Sequence, residues 1–178
     1  FMAPLINQDI EIQVVDRLVS KPLVRTTLEV LCQAGIQVAA DEELMQFSIR
    51  GGQDYQPGEY TVNGDYPSAA AILAAGAVTN SSIEVERLFE DLQGERAVVP
   101  LLEQFGVAVD YNGQAAKLGG HRGMRGVEFD GDVATDMVLV MLAVAAFAAG
   151  ETRFYGIGNL RLKECDRISV PVRELRRL

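Results

Sequence analysis

Apolar and polar positions along this chain follow two rhythms. Alternating or β-branched runs at residues 11–15, 45–50, 59–62, 82–86, 107–111 and 152–156 predict strands, each bounded by Gly, Asp or Asn turns. Helical spacing covers 22–34, 67–78, 95–105, 136–149 and 166–178. Gly35 and Gly106 stand where a left-handed residue closes a helix, and Gly150 ends the longest apolar one. Two helix types alternate. Segments 22–34 and 95–105 carry a charged face, whereas 67–78 and 136–149 are apolar on nearly every face and are expected to be surrounded by protein.

The pattern repeats. Leu31-Cys-Gln-Ala-Gly-Ile-Gln-Val38 returns as Leu102-Glu-Gln-Phe-Gly-Val-Ala-Val109, an offset of 102 − 31 = 71 residues, and Val99-Pro100 returns as Val170-Pro171 at the same offset. Tyr60-Thr-Val-Asn-Gly-Asp65 is echoed by Val127-Glu-Phe-Asp-Gly-Asp132, each ahead of an Ala-rich apolar helix. A repeated unit of strand, buried helix, strand, amphipathic helix, strand, strand places apolar helices inside and sheets outside. That is an α/β layer architecture, not a doubly wound sheet. No Gly-x-Gly-x-x-Gly or Walker-type sequence is present, and the glycine-rich stretch 119–126 follows no strand-to-helix turn, so a dinucleotide or nucleoside triphosphate role is not indicated.

Composition narrows the class further. With 178 residues, 48% hydrophobic and 23% charged, the chain is long enough to bury a core. Its net charge of −9 argues against nucleic acid as partner. The apolar run 137–149 is shorter than the roughly 20 residues a membrane span needs. Cys32 and Cys165 share no metal-like spacing and are expected to be reduced, packing thiols, which with no signal-like segment predicts a cytoplasmic protein. The apolar Phe1-Met-Ala-Pro4 start and the helix-like close at 173–178 give both ends the look of a cut piece, whose apolar ends are expected to favour self-association.

Three places could hold chemistry. Residues 158–168 gather Asn159, Arg161, Lys163, Glu164 and Arg167 between a strand and a helix, where backbone N–H groups also favour anions; the same density would suit a solvated charged loop, and Asp166 suits a helix N-cap. Asp136 heads the long apolar helix, either as a dipole-complementing residue, with Thr135 or Asp132 as caps, or as a partly desolvated acid tuned for proton transfer. Ser20 and Lys21 precede Pro22 at a helix start, as an N-cap with a surface Lys or as a phosphate contact. His121 is the only histidine, in a Gly/Arg-rich loop with no partner visible in the sequence.

Asn159-Leu-Arg-Leu-Lys-Glu-Cys-Asp-Arg-Ile168 resembles the Leu-Arg-x-Lys-Glu-Ser-Asp-Arg signature of the enolpyruvylshikimate phosphate synthase (3-phosphoshikimate 1-carboxyvinyltransferase) family. Leu18-Val-Ser-Lys-Pro22, Gly64-Asp65 with Ser68, and Asp136 before an apolar helix resemble further family segments in the family's order. Leu23 and Cys165 depart from it, standing where an aromatic hydroxyl and a small hydroxyl residue are usual. The resemblance implies α/β domains of repeated βαβαββ units, an inverse α/β barrel of which this chain is a central part. Residues 1–63 would belong to one domain and 64–178 to the second, with the active site in the cleft between domains. It implies transfer of the enolpyruvyl group of phosphoenolpyruvate to shikimate 3-phosphate, with no metal or organic cofactor. The implied catalytic residues are Asp136, Lys163 and Glu164. Ser20 would hold the shikimate phosphate, Asp136, Asn159 and Lys163 the ring hydroxyls, and Arg167 the phosphoenolpyruvate carboxylate. Family members are more than twice this long, and their remaining basic segments would account for the −9 balance here. The alternative is an inactive piece or a binding or assembly module that keeps the fold units.

Overall fold

The computed structural model describes residues 1–177. It divides into two compact units, Phe1–Val62 and Asn63–Leu178.

In the first unit, β1 (Ile10–Gln13), β3 (Gln46–Ile49) and β2 (Val38–Ala40) form an antiparallel sheet in the order β1-β3-β2. Helix α1 (Lys21–Gln33) packs on β2 and contributes Leu31 to a core with Ile36, Phe47 and Ile49. The β2 strand follows Gly35 as the echo implies; the strands at Ala115–Gly120 and Glu128–Asp130 are additions to the sequence reading, since glycine-rich or acidic short runs show no clear alternation.

In the second unit, α2 (Tyr66–Thr79) and α4 (Val138–Ala145) pack against each other, and α3 (Val98–Phe105) completes the core with Leu73, Leu101, Leu102, Phe105, Met137 and Met141. Strands β4 (Glu84–Glu86), β6 (Ala115–Gly120) and β5 (Ala108–Tyr111) form an antiparallel sheet in the order β4-β6-β5. Gly76 lets α2 lie close to it, since a Cβ there would stand 2.8 Å from both Ile83 and Leu118. Strands β7 (Glu128–Asp130) and β8 (Arg153–Tyr155) pair in parallel around α4, a βαβ crossover. Helix α5 (Ser169–Leu175) follows; Leu178, the end of the expected helix, lies outside the described residues.

The 71-residue echo is a repeated helix stop. Gly35 N–H donates to Cys32 O at 3.0 Å and Ile36 N–H to Leu31 O at 2.9 Å; Gly106 N–H donates to Glu103 O at 2.9 Å and Val107 N–H to Leu102 O at 3.0 Å. Both are Schellman closures turned by a glycine at positive φ, +80° and +94°. Pro100 and Pro171 each occupy the third position of their helices, where the missing N–H costs little.

Four expectations change. Segment 59–62 is not a strand: Tyr60 and Val62 are exposed, so alternation has no face to bury, and beside β4 only Gly64 N–H reaches a partner, Arg87 O at 2.8 Å. The apolar helix 136–149 is regular only over Val138–Ala145, preceded by a 3₁₀ turn, Thr135–Met137. The apolar helices are not covered on every side. Ala71, Ile72 and Ala75 of α2, with Ala143 of α4 and the following Ala146 and Phe147, are exposed, because each helix meets its neighbours on only part of its circumference. Cys32 and Cys165 are exposed rather than packing thiols, since each lies on the outer side of its segment. Among the described residues no helix is long and apolar enough to cross a membrane.

Candidate active site

The charged loop and the head of α4 meet in the second unit. After β8, a 3₁₀ segment (Gly158–Leu162) anchors itself by burying Leu160, and Arg167 N–H donates back to Leu160 O at 3.0 Å, folding the loop into a hairpin-like bend. Asp166 fixes the exit. Its Oδ1 accepts from the N–H groups of Ile168 and Ser169, both at 2.9 Å, and its Oδ2 from Ser169 Oγ at 2.8 Å and Arg161 Nη1 at 2.9 Å. The cap position of α5 falls on Ile168, so Asp166 is not the N-cap itself; it serves the helix start from two residues earlier, and Arg161 holds it there. The Ser169 N–H, then its hydroxyl and the Ile168 N–H, hold the Asp166 carboxyl below the usual carboxylate range.

The bend delivers Lys163 and Arg167 to Asp136. Lys163 Nζ lies 3.2 Å and Arg167 Nη1 2.7 Å from Asp136 Oδ1, so residues 27 and 31 positions apart share one carboxylate oxygen. Arg167 also holds Glu164, with Nη2 and Nε at 2.7 and 2.8 Å from Oε1. The guanidinium is the most covered of the four charges at 19% exposed, and Glu164 the most open at 63%. The hydrogen bond from Arg167 lowers the Glu164 carboxyl, and the same bond, with that to Asp136, raises the guanidinium. A bidentate cation between two acids is a carboxylate receptor in which one incoming anion can displace another.

Asn159 extends the cluster. Its Nδ2 donates to Thr135 Oγ1 at 3.4 Å, and its Oδ1 is buried with no hydrogen-bond partner among the described residues. A buried acceptor left open is costly, and a ligand hydroxyl is the kind of group that satisfies it. Asp136 is not a helix cap: the cap position falls on Ala134, which has no side-chain acceptor, and Thr135 meets Asn159 instead.

Ser20 belongs to the first unit. It is the N-cap of α1 in the left-handed region, φ 57°, and its side chain makes no cap hydrogen bond, while Lys21 Nζ pairs with Glu43 at 2.7 Å. The Ser20 hydroxyl thus remains unused by its own helix.

Two residues escaped the sequence reading as parts of this neighbourhood. Thr135 and Glu95 are both 5% exposed beside Asp136, Thr135 in its turn and Glu95 in the packed 3₁₀ segment Gly94–Ala97. A capping candidate and an acid in a first turn look ordinary in sequence, and only burial sets them apart. His121, by contrast, is structural: Gly123 N–H donates to Nδ1 at 3.1 Å, which leaves Nε2 to donate to Ala77 O at 2.8 Å, closing the end of α2. Among the described residues no three metal-ligating side chains converge.

The family model of EPSP synthase (3-phosphoshikimate 1-carboxyvinyltransferase) matches residues 1–178. A 3-phosphoshikimate 1-carboxyvinyltransferase of Deinococcus radiodurans is 40% identical, covering 100% of this chain and 41% of its own length. One of Methanococcus maripaludis is 34% identical over 98% of this chain and 42% of its own length. Among solved structures, EPSP synthase from Acinetobacter baumannii aligns with a TM-score of 0.74 at 22% identity, over 96% of this chain and 39% of that one. The enolpyruvyl transferase NikO from Streptomyces tendae aligns with a TM-score of 0.64 at 20% identity, over 86% of this chain and 37% of that one. This chain spans about two fifths of the length of the curated relatives it matches.

Proposed function

This chain belongs to the EPSP synthase family, and from that premise we propose that it is the part of a 3-phosphoshikimate 1-carboxyvinyltransferase that carries the proton-transfer groups. The reaction joins the enolpyruvyl group of phosphoenolpyruvate to shikimate 3-phosphate. A ring hydroxyl oxygen attacks C2 of phosphoenolpyruvate as C3 takes up a proton, and the tetrahedral adduct then loses a proton from C3 and expels phosphate. The observation that carries the reading is the four-charge cluster of Asp136, Lys163, Glu164 and Arg167, formed by a bent loop closing on a helix head.

In this reading Asp136 takes the proton of the attacking hydroxyl, with Lys163 beside it compensating charge. Glu164 delivers the proton to C3. Its present partner, Arg167, favours the ionised form. The phosphoenolpyruvate carboxylate, by taking over the Arg167 guanidinium, would release Glu164 to hold a proton, so binding would prepare the acid. Asn159 Oδ1 would accept from a ring hydroxyl, and the Ser20 hydroxyl would donate to the shikimate phosphate.

The assignment of residues 1–63 and 64–178 to two different domains is supported by the two compact units, Phe1–Val62 and Asn63–Leu178, which divide one residue earlier. A cytoplasmic location, action on small molecules without nucleic acid or membrane, no cofactor, and self-association through exposed apolar residues such as Phe1 and Met2 belong to the same proposal. At two fifths of its relatives' length, the chain alone is expected to bind substrate weakly and not to turn over.

The test is phosphate release from shikimate 3-phosphate and phosphoenolpyruvate, measured alongside intact mass, for this chain and for a longer protein containing it. Turnover by the longer protein, lost on Glu164→Ala, supports the reading. A longer protein that binds neither substrate overturns it in favour of an assembly module.

A further inference from the structure

The second unit holds a cavity of about 400 Å³ that shares no residue with the charged cluster around Asp136. Its walls are apolar: Leu92, Ala97, Val99, Pro100, Tyr111 and Val133. They come from the start of α3 and the segment before it, from the end of β5 and from the approach to α4. The polar groups of the lining fall into two sets. Asp91 and Gln93 are taken up by the fold itself. Gln93 N–H donates to Asp91 Oδ1 at 2.9 Å and Asn63 Nδ2 to Asp91 Oδ2 at 3.2 Å, while Gln93 Oε1 accepts from Tyr66 N–H at 3.2 Å and its Nε2 donates to Gly64 O at 3.1 Å. Glu90 and Arg96 hold chiefly each other. Arg96 Nη2 lies 2.9 Å from Glu90 Oε1, the Arg96 contact to Asp91 O is long at 3.5 Å, and the two side chains are 62% and 41% exposed. An ion pair so open to water contributes little and exchanges partners readily.

Charge decides which partner fits. Glu90 and Asp91 against Arg96 leave the lining one negative charge in excess, which disfavours a plain anion. A guanidinium and a carboxylate side by side at the rim suit a ligand that carries both signs. We propose that this cavity binds a free α-amino acid with an apolar side chain. The ligand carboxylate takes the Arg96 guanidinium, its ammonium takes Glu90, and the walls cover the side chain. The volume stands at the low end of the range for small-molecule sites and suits roughly a dozen non-hydrogen atoms. Val133 stands two positions ahead of the turn Thr135–Met137 that carries Asp136, so the ligand would sit against the approach to the candidate active site without entering it. The reaction assigned to that site plays no part in the argument.

The test is a titration of the 178-residue chain, without substrate, followed through its backbone amide shifts by NMR. L-Leucine and L-phenylalanine are expected to move the amides of Leu92, Ala97 and Val133 along one saturable curve, with Kd on the order of 1 mM. Glycine lacks the side chain, N-acetyl-leucine the ammonium and leucinamide the carboxylate; each is expected to bind at least about tenfold more weakly. Arg96→Gln should erase the preference for leucine over leucinamide, and Glu90→Gln the preference for leucine over N-acetyl-leucine. Absence of saturation at about ten times that concentration, equal binding of the three comparison compounds, or preferences untouched by both substitutions would overturn the proposal. If one variant fails to fold, the other variant and the comparison compounds still decide. Because no arm uses shikimate 3-phosphate or phosphoenolpyruvate, a failure of the enolpyruvyl transfer reading leaves this result standing, and a failure here leaves phosphate release intact as a test of that reading.

Discussion

The heads of the two apolar helices start from echoed residues and end in different chemistry. At α2, Asp65 follows Gly64 and is itself the N-cap, with Oδ2 accepting from Ser68 N–H at 3.0 Å and from the Ser68 hydroxyl. At α4, the matching Asp132 stands two positions ahead of the cap position, which falls on Ala134. The first head satisfies its backbone with its own acid. The second leaves Asp136 facing two cations. The longer approach to α4 thus moves the matching acid, Asp132, off the cap position, and a different acid, Asp136, stands at the head and meets the cations.

The sharpest way to break this contrast is to remove each acid in turn. In a protein containing the whole site, Asp136→Asn is expected to lower kcat for phosphate release by about 10²- to 10⁴-fold, whereas Asp65→Asn should leave it within a few-fold. Equal losses in steady-state assays would erase the distinction. The order should reverse for stability. Asp65→Ala is expected to cost about 1 kcal/mol as a lost cap, read from the urea midpoint. Asp136→Ala should cost less, because its ion pairs are partly exposed and such pairs contribute roughly 0–1 kcal/mol.

The smallest effect is in pH, where two carboxylates pull in opposite directions. Asp166 is held below its ordinary range, so its contribution is fully present above an unfolded value of about 3.9 and is lost as pH falls further. Glu95 is raised, so its contribution is fully present below about 4.3 and is lost as pH rises through its folded value. In melting curves against pH, Asp166→Asn should flatten the acid limb only, and Glu95→Gln the limb above it. A single limb flattened by both would contradict the separate roles.

Much of this was legible in the residues. The echo of Leu31–Val38 in Leu102–Val109 is local grammar, a helix end, a glycine and a strand, and it folds as the same closure twice. The signature loop likewise showed its density of charge, and Asp166 its place at a helix start. Segment 59–62 misled, because alternation reports a face suited to burial and not whether anything covers it. Glu95 was invisible for the converse reason. A Glu in a first turn is usually solvated, and only the packing of two 3₁₀ segments put this one out of water.

The sequence by itself determined most of the elements, the glycine stops, the repeat and the family, because these depend on contacts within a few residues and on motifs that persist in order. The tertiary structure decided which charges meet. Asp136 and Arg167 are 31 positions apart, and whether the one caps a helix or anchors a cation turns on how a loop anchored by buried Leu160 bends back onto a helix head. Burial is a property of the assembled fold, so the roles it assigns could be read only there.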